Sequence, residues 1–161
     1  MVTRFRRSRT WVLLVYRLPR EPSAPRIAVW RKLRRLGVAQ LADGLVALPL
    51  DARNKERLEW LADEVIENGG EASIWLADPS SSLDERSIAA KLSAGIAQEY
   101  RVVEAAASDT TGTDHSTQRR TLARLRRELA RIRQRDYFPP PERNQARGAV
   151  EDLARRLEAP S

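Results

Sequence analysis

Trp11-Val-Leu-Leu-Val-Tyr-Arg-Leu-Pro19 is the most apolar run of this 161-residue chain. It is short, β-branched and aromatic, and a proline stops it, which marks a buried strand rather than a helix. Downstream, Arg20-Glu-Pro-Ser-Ala-Pro25 leads into a helix. Ser23 stands at its N-cap and Pro25 in its first turn, where a missing N–H costs nothing. Ile27, Trp30, Leu33 and Leu36 recur at helical spacing and predict one buried face. Arg31, Lys32, Arg34 and Arg35 fall on the other side, and Gly37 ends the helix as a C-terminal glycine does.

Asp43-Gly44 is a tight-turn signal between two short strands, Val38–Leu41 and Leu45–Leu48, and Pro49 stops the second. A helix from about Asp51 to Asn68 puts Leu58, Leu61, Val65 and Ile66 on one face. Ala72–Ala77 is another strand. The order β-α-β-β-α-β predicts an α+β fold, a ferredoxin-like split βαβ sheet over about residues 10–78. One helix layer covers that sheet, and the first strand is central.

Asp78-Pro-Ser-Ser-Ser82 reads as a linker, and Ser82-Leu-Asp-Glu85 as a capping box opening a long helix. Ile88, Leu92, Ile96, Tyr100 and Val103 give that helix one apolar seam. Residues 107–118 are polar and of low complexity, and predict a mobile loop. Leu122, Leu125, Leu129 and Ile132 give a second helix a coiled-coil seam, so the two helices pair as an antiparallel hairpin. Asp136-Tyr-Phe-Pro-Pro-Pro-Glu-Arg143 breaks the helix, and a final helix covers about residues 145–157. The expected organisation is a flexible basic arm (1–10), a ferredoxin-like subdomain (11–78) and a helical subdomain (83–158, with its hairpin at 83–135).

Charged residues make up 32% and hydrophobic ones 42%, a balance that supports a folded core. There is no cysteine, so a disulfide framework and thiolate zinc sites are excluded, and a reducing cytoplasm is the expected location. No apolar run approaches the roughly 20 residues of a membrane span, and the N-terminal stretch predicts no signal peptide. The net charge of +7 is unevenly spread. Residues 1–36 hold 11 basic side chains and 1 acidic one, residues 37–78 hold 3 and 9, and residues 119–161 hold 12 and 6. Basic ends beside an acidic middle predict a patch that attracts polyanions.

Catalytic signals are weak. His115 sits alone in a polar stretch, without the clustered ligands a metal needs. Asp43 precedes glycine and Asp78 precedes proline, so turn chemistry accounts for both. Phosphate-binding glycine loops, nucleophile elbows and zinc-helix motifs are missing. A ferredoxin-like nuclease would place a metal-binding aspartate at the end of the first strand, whereas Tyr16-Arg17 stands there. The expectation is therefore a binding protein without catalytic residues, metal or cofactor. The four tryptophans, Trp11, Trp30, Trp60 and Trp75, lie on four elements and are expected in the core, with one of Trp60 and Leu61 partly exposed. The arginine-rich segment 119–135 has two readings: a solvated helix face paired with Glu85, Glu99 and Glu104, or a phosphate-contacting face. The paired reading is preferred, because the helix already commits its apolar seam to a partner.

Several of these stretches resemble the N-terminal domain of the ChrB chromate-resistance family. They are Trp11–Ser23, Val29-Trp-Arg-Lys-Leu-Arg-Arg-Leu-Gly37, Asp43-Gly44, Trp60-Leu-Ala, and the block from Arg124 through Asp136-Tyr-Phe-Pro-Pro-Pro. The match covers about residues 10–158, and the strand-helix portion is also similar to the ferredoxin-like middle domain of PaaX-type repressors. The resemblance implies a cytoplasmic, DNA-associated regulator of chromate efflux. Proteins of that family usually carry a second, C-terminal domain, so the expectation is a stand-alone or truncated N-terminal module. The residues expected to contact DNA are Arg4, Arg6, Arg7 and Arg9 on the arm and Arg31, Lys32, Arg34 and Arg35 on the first helix. Chromate or another oxyanion is a candidate effector, with its binding residues unassigned, and a homodimer is a candidate assembly. The rival readings are an interaction module using the helix hairpin as its contact surface, and a small enzyme acting on an oxyanion.

Overall fold

The computed structural model describes residues 9–159. Along these residues run β1 (Trp11–Arg17), α1 (Ala24–Leu36), β2 (Ala39–Ala42), β3 (Leu45–Pro49), α2 (Ala52–Glu67) and β4 (Glu71–Ala77). Then come α3 (Ser82–Asp109), α4 (His115–Arg133) and α5 (Glu142–Glu158). The chain forms two compact units, one reaching to Leu92 and one starting at Ser93, so the unit boundary falls inside α3.

The first unit is built on an antiparallel sheet of order β2-β3-β1-β4, the split βαβ arrangement. β1 is interior, as its apolar run requires. Val12 faces Leu48 on one side and Leu76 on the other, and Leu14 faces Val46 and Ile74. Val12, Leu14, Val46 and Leu48 therefore point to one face. There they are buried with Val29 and Leu33 of α1 and Leu58, Leu61 and Val65 of α2.

The turn between β2 and β3 depends on Gly44. Its φ is +72°, and a Cβ there would sit 2.3 Å from the Tyr16 carbonyl oxygen. The Tyr16 N–H donates to the Gly44 carbonyl at 2.8 Å, tying the turn to β1. Asp51 caps α2 by accepting from the Asn54 N–H at 2.7 Å, and the buried Asn54 side chain donates back to the Pro49 carbonyl at 2.9 Å. Gly37 closes α1 in the left-handed conformation.

Several expected faces rotate. In α1 the buried residues are Val29 and Leu33, while Ile27 and Trp30 are exposed. Each three-residue step falls about 60° short of a full turn. The 27-30-33-36 series therefore spirals around the helix, and the packed face follows the four-residue step from Val29 to Leu33. In α2, Ile66 is exposed for the same reason, one position past the Leu58-Leu61-Ala62-Val65 stripe. Of the tryptophans only Trp11 is in the core, at 1% exposure; Trp60 is 70% and Trp75 59% exposed. Ser23 occupies the N-cap position of α1, but its side chain makes no cap hydrogen bond.

The capping box at α3 lies one residue earlier than expected. The Asp84 N–H donates to Ser81 Oγ at 3.1 Å, and the Ser81 hydroxyl returns to Asp84 Oδ2 at 2.7 Å. Hydroxyl donation from Ser81 and Ser80 holds the Asp84 carboxyl below the usual carboxylate range.

In the second unit α3, α4 and α5 share one core: Ile96, Tyr100, Val103 and Ala107 meet Leu125, Ile132, Ala146, Val150 and Leu153. α3 and α4 are antiparallel, with Thr110 beside Thr121 near one end and Glu99 beside Arg135 near the other. Their connection is short. Residues 107–109 finish α3, and residues 115–118 are already the first turn of α4. Asp114 creates that early start by accepting from the Thr117 N–H at 3.0 Å. Hydrogen bonds from Thr117 and Ser116 hold its carboxyl far below the carboxylate range. The Tyr100 hydroxyl donates to Asp136 at 2.7 Å, and Arg135 forms a two-pronged pair with Glu99 at 2.9 Å on each arm. Ser93 donates to the Phe138 carbonyl at 3.0 Å, so the break after α4 is anchored to α3.

Two outcomes follow. Replacing Gly44 by alanine is expected to lower unfolding stability by about 1–3 kcal/mol in a urea titration; an unchanged midpoint would contradict the close approach at Tyr16. Burial, with the Asp136 hydrogen bond second, pushes the Tyr100 phenol up to about 12. An unfolded tyrosine loses its proton near 10. The Tyr100 contribution is thus complete below that pH and is lost as pH rises from about 10 to 12. Alkaline unfolding of Tyr100→Phe should show a shallower fall over that window than the parent protein.

Candidate nucleic-acid interface

α1 offers a basic surface because its packed side is used up by Val29 and Leu33. Arg31, Arg34 and Arg35 stand exposed on the solvent side, and none has a carboxylate within 4.0 Å among the described residues. Ile27 and Trp30 share this side and are exposed. Arg34 follows Trp30 by four positions, which makes them neighbours on the helix surface. The surface is therefore a basic patch interleaved with apolar side chains.

Lys32 differs from its neighbours. It points towards α2, where its ammonium lies 2.7 Å from a Glu64 oxygen. Such a half-exposed pair contributes only about 0–1 kcal/mol, yet it offsets the Lys32 charge. α2 supplies the opposite sign: Trp60, Asp63, Glu64, Glu67 and Asn68 line a shallow groove of about 570 Å³. Basic and acidic surfaces thus sit on neighbouring helices of one unit.

Arg4, Arg6 and Arg7 lie outside the described residues. Arg9 and Thr10 are tied down rather than part of a free arm. The Arg9 N–H donates to Glu85 at 2.7 Å, the Thr10 hydroxyl donates to Asp78 at 2.7 Å, and the Leu50 N–H donates to the Thr10 carbonyl at 3.0 Å.

The expected pairing of the arginine-rich helix is largely absent. Of its three expected carboxylates, Glu99 alone pairs, and it does so with Arg135, just beyond α4. Glu85 accepts from Arg9 in the first unit. On α4 itself Arg131 meets Glu128 at 3.5 Å, while Arg119, Arg120, Arg124, Arg126, Arg127 and Arg133 have no ion pair among the described residues. The hairpin seam is likewise no free contact surface, because α5 fills it.

Among the described residues no three histidine or carboxylate groups gather as metal ligands would. No helix among them is long and apolar enough to cross a membrane. Arg17 is exposed at the end of β1, opposite Glu71.

A split βαβ sheet of ferredoxin-like order, with an arginine-bearing first helix, defines the class. Within it, the family model described as Protein ChrB, N-terminal, matches residues 26–111. The chain belongs to this ChrB N-terminal family. It is 29% identical over 133 residues to Protein ChrB of Cupriavidus metallidurans, which covers 80% of this chain. The chain spans 40% of that relative's length. Among solved structures, the uncharacterized protein Rv0674 from Mycobacterium tuberculosis superposes with a TM-score of 0.54 at 15% identity. That match covers 93% of this chain and 61% of the other, and it shows likeness of fold.

The charge arrangement has a direct readout on an immobilised polyanion such as heparin. Arg34→Gln is expected to lower the salt needed for elution, Lys32→Gln to leave it nearly unchanged, and Glu64→Gln to raise it by releasing Lys32. Equal losses for Arg34→Gln and Lys32→Gln would show that the Glu64 pair does not offset the lysine.

Proposed function

We propose that this chain is a DNA-binding regulatory module of chromate resistance, acting by binding rather than catalysis. The single observation that carries the reading is the α1 surface, where Arg31, Arg34 and Arg35 stand in water without carboxylate partners among the described residues. Membership of the ChrB family supplies the chromate context. Guanidinium groups bind phosphate oxygens bidentately, and each phosphate neutralised releases counterions, so affinity must fall with salt. Phosphate contacts of this kind fix position on a duplex and leave sequence choice to other contacts. Chromate is a tetrahedral dianion and competes for the same donor chemistry.

The test is a titration of a duplex from the operon's promoter region at two salt concentrations, with and without chromate. The expected result is tight binding at low salt, a linear fall of log affinity with log salt, and weakening by chromate beyond that caused by sulfate at equal ionic strength. No binding at low salt would overturn the reading. Equal effects of chromate and sulfate would remove chromate sensing from this chain while leaving DNA binding in place.

A second reading is favoured by one observation. Trp60, Trp75 and Leu76 are exposed large apolar side chains, and β4 is an edge strand. Exposed aromatics are the usual anchors of protein interfaces. Should the chain be an interaction module, Trp60→Ser and Trp75→Ser would abolish its self-association in sedimentation, with DNA affinity unchanged.

A further inference from the structure

We infer that α4 is a helix seated in the major groove of duplex DNA, with its arginines holding the two phosphate backbones from either side. The inference rests on the DNA-binding reading and assigns it a surface on the second unit.

Leu125 and Ile132 are buried and fix the inward direction of α4. With 3.6 residues per turn, Arg120, Arg124, Arg127 and Arg131 form one row along one flank. Arg119, Arg126 and Arg133 recur every seven residues and form a second row along the other flank. All seven are exposed. Between the rows, on the ridge pointing away from the core, lie Ala123 and Ala130, which are small and also exposed. The outward half of α4 is thus a narrow small-residue ridge between two lines of guanidinium groups. Thr117, Arg120, Thr121, Ala123, Arg124 and Arg127 line a shallow groove of about 470 Å³ along the first flank.

The cost of this layout shows that it is not inert. Seven arginines share 19 residues with one acidic side chain, Glu128. Like charges three and four residues apart destabilise an isolated helix. Carboxylates placed opposite them would relieve this, yet six of the seven have no ion pair among the described residues. An external polyanion relieves it equally well.

The shape selects the polyanion. A helix with its side chains is about 10–12 Å across, and the major groove of B-form DNA is about 12 Å wide. Two basic flanks separated by a small ridge match two phosphate backbones separated by a groove. The deep, narrow major groove of A-form RNA does not admit a helix. A protein partner would be met by large apolar anchors at the centre of the face, and alanines stand there instead.

The experiment uses the full chain and a fluorescent 20-base-pair duplex, with anisotropy read over a salt series. Changing Arg120, Arg124, Arg127 and Arg131 together to glutamine should reduce the salt slope by about 3.6, since each phosphate contact adds about 0.9. The same four changed to lysine should keep most of the slope. Glutamine is a good helix former, so the variant should melt no lower than the parent. Ala123→Glu should weaken binding at least tenfold by placing a carboxylate on the ridge. Prior saturation of the duplex with methyl green, a major-groove ligand, should block binding, and netropsin, a minor-groove ligand, should not.

Failure of the parent protein to bind at low salt would overturn the DNA-binding reading itself. Normal binding whose slope survives the α4 changes, but falls with Arg31, Arg34 and Arg35 changed to glutamine, would overturn the α4 assignment alone. Block by netropsin in place of methyl green, or tighter binding to an RNA duplex, would overturn it as well.

Discussion

Strand pairing on both edges of β1 is the constraint on which the first unit depends. Val12 and Leu14 each meet an apolar partner on β3 and another on β4. One face of the sheet is therefore filled from its centre outward, and α1 and α2 must lie over it. Once Val29 and Leu33 dock there, with Leu36 partly buried beside them and Lys32 turned to Glu64, Arg31, Arg34 and Arg35 are left to water. Its arginines are exposed as a consequence of the strand register, and so are Ile27 and Trp30.

The same logic governs the second unit with different parts. Leu125 and Ile132 turn one side of α4 into the shared core, and α5 closes it through Ala146, Val150 and Leu153. The hydrogen bond from Tyr100 to Asp136 and the Arg135–Glu99 pair hold the break after α4 against α3. These polar contacts engage Asp136 and Glu99, and among the described residues Arg131 alone of the α4 arginines meets a carboxylate, Glu128. Sheet and bundle are unlike scaffolds, yet each ends with a basic helix face that its own unit does not neutralise.

Much of this was legible in the residues. β1, the Asp43-Gly44 turn, the Gly37 helix end and the seams of α3 and α4 follow from short-range rules: a bounded apolar run, a positive φ, a repeat of three and four. The places where those rules fell short share a cause. A three-residue series such as 27-30-33-36 fits more than one buried arc, and only docking on the sheet chooses Val29 over Ile27. Trp60 and Trp75 look like core by residue type, but Trp60 lies off the Leu58-Leu61-Val65 stripe of α2, and Trp75, paired with Leu13, lies on the sheet face opposite Val12 and Leu14. Residues 107–118 look like a loop by composition, whereas Asp114 nucleates a helix turn from that same polar stretch. Pairing of the α4 arginines depended on which carboxylates the helix packing brings near, and spacing along the chain does not encode that. Arg4, Arg6 and Arg7, expected on an arm, fall outside the described residues.

The central claim is that exposed, carboxylate-free guanidinium groups are the contact surface of this protein. The most direct measurement is side-chain NMR of the arginine Nε–H and tryptophan indole N–H groups while duplex DNA is added. The account predicts that Arg31, Arg34 and Arg35 on α1 and Arg124, Arg126 and Arg127 on α4 shift or broaden together, with the Trp60 indole unmoved. Perturbation confined to Trp60 and Trp75, with the arginine signals unchanged, would contradict it.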